Sequence, residues 1–113
     1  MHKYRTHNCT ELNLKNKNEQ IILSGWINKK RDHGNLLFID LRDNFGLTQC
    51  VIDKSNKFFK ELEKTQLESV IKVQGTVVER TKETINPELK TGQIEVKIIS
   101  FEILGHCKEL PMP

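Results

Sequence analysis

From Ile21 onward the sequence repeats with a period of two, and it does so in five separate runs. Ile21, Leu23, Gly25 and Ile27 alternate with Ile22, Ser24, Trp26 and Asn28. Leu37, Ile39 and Leu41 alternate with Leu36, Phe38, Asp40 and Arg42. Thr48, Cys50 and Ile52 face one way and Gln49 the other. Ile71, Val73 and Val77 oppose Lys72, Gln74 and Arg80, and Ile94, Val96 and Ile98 oppose Gln93, Glu95 and Lys97. Successive strand side chains point to opposite faces, so each run reads as a strand with one apolar face. A single segment breaks the period. In SNKFFKELEKTQ, residues 55–66, Phe58, Phe59 and Leu62 have helical spacing, and Ser55 is placed to cap the helix. Three strands, a helix and two strands predict an all-β fold: a five-stranded OB-fold barrel with a helix between strands 3 and 4.

The connections agree with that order. Gly34 and Asn44-Phe45-Gly46 mark turns, and TKETINPELKTG, residues 81–92, is a long polar loop broken by Pro87 and Gly92. Gly25, in mid-strand, suggests a bulge or a sharp coil there. A chain of 113 residues fits one domain. Residues 1–20 read as a polar extension packing on the barrel, with Leu12 and Leu14 as its apolar anchors. Residues 21–105 read as the barrel. Residues 106–113, ending in LPMP, read as the start of a linker.

Bulk charge decides little. Eighteen Lys and Arg against 15 Asp and Glu leave a net +3, so only local clustering could mark a nucleic-acid surface. Cys9, Cys50 and Cys107 form no CxxC pair, which speaks against a disulfide framework and for a reducing compartment. No apolar run approaches the roughly 20 residues of a membrane-spanning helix. MHKYRTHNC lacks the apolar core of a signal peptide. The expectation is a soluble cytoplasmic protein with no membrane partner.

Local clustering is present. Arg31, Phe38, Gln49, Arg80 and Glu95 come from separate segments and fall on outward phases. An aromatic ring, guanidinium groups, an amide and a carboxylate are the groups that hold splayed single-stranded bases. Lys29-Lys30-Arg31 reads as a basic turn able to meet phosphates. Each residue also has a plainer reading. An outward phenylalanine is often covered by a loop, a basic turn is often only solvated, and a strand Gln or Glu is often idle. The coincidence at one surface carries the argument. Metal binding by His7, Cys9, His106 and Cys107 lacks the usual ligand spacings. No nucleophile–base pair and no Gly-rich phosphate loop has a recognisable spacing. Asp40, Asp43 and Asp53 read as strand-end and turn acids.

Several segments together resemble the amino-terminal anticodon-binding domain of bacterial-type aspartyl-tRNA synthetases. They are YRTHNC at 4–9, GWINKKRDHGNLLFIDLRD at 25–43, GLTQC at 46–50, VIKVQGTVVER at 70–80 and TINPELKTGQIEV at 84–96. Lysyl and asparaginyl enzymes carry related barrels, and RDHG combined with TGQIEV is similar to the aspartyl branch. The resemblance implies that Phe38 stacks on the middle uridine of the anticodon and that Gln49 hydrogen-bonds it. Arg31 contacts bases or phosphates nearby, with Lys29 and Lys30 adding phosphate attraction. Glu95 reads the first-position guanine, Arg80 holds the anticodon edge, and the loop from Thr84 to Asn86 lies close to the third base. It implies tRNA(Asp) as partner. His33, where some strict members have leucine, hints at tRNA(Asn) as a second. No cofactor belongs to this fragment, which carries no catalytic residue. The full-length class II enzyme would be a homodimer using ATP and Mg2+, and the isolated barrel a monomer. The alternatives are a stand-alone single-strand-binding module and a barrel used only as a scaffold.

Overall fold

The computed structural model describes residues 6, 7, 9, 12–80, 85–87 and 91–105. After a short 3-10 turn at Leu14–Asn16, the elements are β1 Gln20–Asp32, β2 Leu36–Arg42, β3 Leu47–Asp53, α1 Phe59–Lys64, β4 Val70–Glu79 and β5 Ile94–Gly105. The expected order of three strands, a helix and two strands is the one found. The strands close into a barrel in the order β1-β2-β3-β5-β4. β1 serves two neighbours. Gln20 to Trp26 pair antiparallel with β4, and Trp26 to Asp32 pair antiparallel with β2. β2 with β3 and β4 with β5 are antiparallel. β3 and β5 are parallel and meet through Cys50–Val96 and Val51–Lys97.

The period-two pattern becomes the core. Ile21, Leu23 and Ile27, then Ile39 and Leu41, then Val73 and Val77 are all fully buried. Each such side chain contributes about 1.5–3 kcal/mol by leaving water. Phe59 and Leu62 bring α1 onto the same cluster. Cys9 and Leu12 join it from the amino-terminal segment, while Leu14 stays exposed. Two bonds tie Cys9 down. Its N–H donates to Asp43 Oδ2 at 2.8 Å, and its carbonyl accepts from Thr48 Oγ1 at 2.9 Å.

Three local expectations are corrected. Lys29-Lys30-Arg31 is not a turn. It lies inside β1, paired with Asp40, Ile39 and Phe38. The turn comes later, at Gly34, whose φ is 78° and whose N–H donates to Asp32 Oδ1 at 2.9 Å. Of the bulge or sharp coil expected at Gly25, the bulge is absent there, and the irregularity of β1 against β2 lies between Ile27 and Lys29. Gly25 is instead where β1 passes β2 so closely that a Cβ would overlap the carbonyl oxygen of Arg42. The helix is shorter than 55–66, and Ser55 does not cap it. The Ser55 N–H donates to Asp53 Oδ1, and the N–H of Phe58 donates to Asn56 Oδ1 at 2.8 Å. Asp53 and Asn56 thus spend residues 53–58 on turns, and the helix begins only at Phe59. Among the described residues no helix is long and apolar enough to cross a membrane.

Candidate functional site

Cross-strand partners share a face of a sheet, so the register maps the outward surface directly. One row runs Arg31, Phe38, Val51, Lys97 across β1, β2, β3 and β5. Beside it runs Lys29, Asp40, Gln49, continued to Glu95 by a side-chain hydrogen bond. At the usual strand spacing each row spans about 14 Å. Four of the expected residues, Arg31, Phe38, Gln49 and Glu95, therefore stand on one face.

They are joined by a chain of hydrogen bonds. Arg31 Nη1 and Nη2 donate to the two oxygens of Asp40 at 2.9 and 3.0 Å. Arg31 Nη2 also donates to Gln49 Oε1 at 2.7 Å. Gln49 Nε2 donates to Glu95 Oε1 at 2.9 Å. These contacts leave Gln49 only 7% exposed although it lies on the outward face. Phe38 is half-buried, and the His33 ring meets it edge-on, with centroids 5.0 Å apart and planes at 80°.

A cavity of about 460 Å³ opens here, lined by Arg31, His33, Phe38, Asp40, Gln49, Arg80 and Asn86. That size lies in the ordinary range for a small-molecule or base-sized site, roughly 300–1,000 Å³. Arg80 follows β4 and is buried, with Nε donating to the carbonyl of Ile94 at 2.8 Å. Burial lowers its pKa, while Glu95 and Asp40 pull the other way. Asn86 is held at the rim by its N–H on the Gly92 carbonyl. Arg31 and Arg80 face Asp40 and Glu95, two positive groups against two negative.

The inventory that remains is specific. Arg31 keeps Nε–H and one Nη1 hydrogen, and Gln49 keeps one N–H and one lone pair. Among the described residues, Glu95 Oε2 takes no hydrogen bond. A flat ring, a donor–acceptor amide and a carboxylate stand side by side, the equipment for one stacked base and its neighbour.

Not every expected residue joins. Lys29 is exposed on the same face. Lys30 points away, its Nζ donating to the carbonyls of Glu63 and Thr65 at the end of α1 at 2.8 and 2.5 Å. Burial lowers its pKa, with Glu63 opposing. Thr84 lies outside the described residues, as do His106 and Cys107. Among the described residues no group of three or more His, Cys, Asp or Glu is placed to hold a metal ion. Asp43 and Asp53 are turn acids, as expected. Asp40 is not idle, and its membership was missed. The available signal was its phase, which it shares with Phe38.

Residues 21–104 match the family model of the OB-fold nucleic acid binding domain. An aspartate–tRNA(Asp/Asn) ligase of Pelagibacter ubique (strain HTCC1062) is 72% identical over 113 residues, covering 100% of this chain and 19% of that protein. The ligase of the same name from Zymomonas mobilis subsp. mobilis (strain ATCC 31821 / ZM4 / CP4) is 51% identical over the same 113 residues, again 100% of this chain and 19% of the relative. The chain thus spans about a fifth of the length of these relatives. Among solved structures, asparaginyl-tRNA synthetase of Pyrococcus horikoshii, complexed with asparaginyl-adenylate, superposes with a TM-score of 0.75 at 24% identity. That match covers 95% of this chain and 24% of the synthetase, and at such identity it speaks for the fold alone.

Proposed function

The chain belongs to the OB-fold nucleic acid binding domain family, and from that premise we propose that it recognises the anticodon loop of tRNA as the amino-terminal domain of an aspartate–tRNA ligase. The observation that carries the proposal is the unbroken contact from Arg31 through Gln49 to Glu95 beside the ring of Phe38. The middle uracil stacks on Phe38 and hydrogen-bonds the remaining donor and acceptor of Gln49. The first-position guanine offers N1–H and its N2 amino group as adjacent donors to the carboxylate of Glu95. Arg80 and Asn86 hold the far rim of the cavity, on the side of the third base. The names of the relatives support acceptance of both tRNA(Asp) and tRNA(Asn). Charging with ATP and Mg2+, dimerisation and a cytoplasmic setting are proposed for the full-length ligase.

The test is a titration of the chain with RNA stem-loops carrying GUC or altered anticodons at two salt concentrations. Preference for GUC at both salts is expected. Equal, strongly salt-dependent binding of every loop would make the chain a general single-strand binder, and no binding at low salt would make the barrel a scaffold.

A further inference from the structure

We propose that Asp40 is a positioning residue for base recognition. Its carboxylate fixes Arg31, Arg31 fixes the amide of Gln49, and Gln49 fixes Glu95, so selection of the base at Glu95 depends on a group two strands away. The proposal rests on the anticodon reading above.

Direction is the key property of this chain of contacts. A glutamine amide left alone can present either its oxygen or its nitrogen. Here both ends are specified. Guanidinium has donors only, so Arg31 requires the oxygen of Gln49. An ionised carboxylate has acceptors only, so Glu95 requires the nitrogen. The two demands agree, and the amide has one orientation.

Asp40 sets the first demand. The direct cross-strand partner of Asp40 on β1 is Lys29, yet its carboxylate reaches diagonally to Arg31 and takes both Nη groups. A two-point carboxylate–guanidinium pair fixes a plane as well as a position. Side-chain exposures of 14% for Asp40 and 33% for Arg31 put the pair partly out of water, where such contacts are firmer. Without Asp40, Arg31 regains its rotamers, Gln49 loses the donor that holds its oxygen, and Glu95 loses a fixed neighbour. Asn at this position keeps one acceptor and turns an NH2 toward a group that can only donate.

The experiment compares wild type, Asp40→Asn, Asp40→Glu and Arg31→Lys of this chain with stem-loops carrying GUC and AUC. It also follows the Gln49 side-chain NH2 signals by NMR without RNA. Asp40→Asn is expected to lose about tenfold of the GUC over AUC preference, the size of coupling within one hydrogen-bond network. Its Gln49 signals should move toward those of a free amide, and Asp40→Glu should restore part of both. Arg31→Lys, which cannot span Asp40 and Gln49 together, should show the same loss. Asp40→Asn with full preference and unmoved Gln49 signals would overturn the proposal. So would equal weakening of both loops. Should Asp40→Asn fail to fold, Arg31→Lys decides by the same two readings. If wild type binds neither loop, the anticodon reading falls, and the Gln49 signals alone judge the positioning role: unmoved, they refute it.

Discussion

Lys30 and Arg31 are adjacent in β1 and point to opposite faces. The Lys30 ammonium sits on the carbonyls of Glu63 and Thr65 at the end of α1, while the Arg31 guanidinium holds Asp40 and Gln49 on the candidate face. A cation there satisfies carbonyls that the helix leaves open and complements its dipole. Lys30→Ala should therefore cost up to about 1 kcal/mol of stability and leave the salt dependence of RNA binding unchanged. Lys29→Ala should spare stability and reduce the salt slope by roughly 0.7, one single-strand phosphate contact. Thermal melts and titrations at several salt concentrations separate the two, and a slope that falls with Lys30 instead would reverse the assignment.

Phe38→Ala should weaken binding to the GUC stem-loop by roughly 1–3 kcal/mol, as base–aromatic stacking does. Phe38→Tyr should keep most of the affinity. The ring lies outside the buried core cluster and meets His33 at its edge, so melting should change little. A large drop in melting temperature with unchanged affinity would make Phe38 a structural residue.

Glu95→Gln should cost roughly 1–3 kcal/mol with a first-position guanine and much less with adenine. Gln49 Nε2 already claims one oxygen at this position. The new amide must give its only oxygen to Gln49 and turn its nitrogen toward the donors of guanine. Titrations of both proteins with both loops form the cycle, and equal losses would show that Glu95 does not read the base.

Gly25 in β1 and Gly34 in the turn between β1 and β2 should differ in kind. Gly25→Ala places a Cβ on the carbonyl oxygen of Arg42, a backbone atom that cannot swing away. Overpacking of this sort costs typically about 1–3 kcal/mol and sometimes more. Gly34→Ala meets nothing within 4 Å but must hold a φ of +78°, costing about 1–2 kcal/mol. Denaturant melts should rank Gly25→Ala as at least as damaging, and only Gly25→Ala should disturb the amides of Leu41 and Arg42.

Alkaline pH should destabilise the fold through Cys50. Burial raises its thiol pKa well above the ordinary value of 9.0, with Cys9, Asp40 and Glu95 adding to the effect. Above that ordinary value the unfolded chain loses a proton that the folded chain keeps. Stability is then fully present below about pH 9 and falls as pH rises beyond it, by at most ~1.4 kcal/mol per pH unit for one group. Cys50→Val should remove that component, and parallel alkaline slopes for both proteins would refute it.

The barrel was legible because its core strands obey one rule. Burial alternates through Ile21–Ile27, Leu37–Leu41 and Ile94–Ile98, and the sequence follows it closely enough to separate core from surface. Phe38 and Glu95 were legible for the same reason, as outward members of those strands, and Gln49 only by its phase against Thr48 and Cys50 in β3, where burial is continuous. What escaped depends on contacts that no local pattern encodes. Lys30 looks like Lys29 in the sequence, and only the bulge after Ile27 and the docked helix send it elsewhere. Asp40 looks like any strand acid until the fold brings Arg31 diagonally across to it. Cys9, far from any strand, becomes core because Asp43 and Thr48 bind its backbone.

The parallel junction of β3 and β5 holds through Cys50–Val96 and Val51–Lys97, and the Gln49–Glu95 bond lies immediately beside it. A closed sheet opens most readily where its pairing is shortest, and local opening is what amide hydrogen exchange detects. RNA seated across Gln49 and Glu95 would act as a clasp on that seam. Bound RNA should slow exchange at Val51 and Val96 more than at β1 or β4, making recognition of a base and closure of the ring a single thermodynamic event.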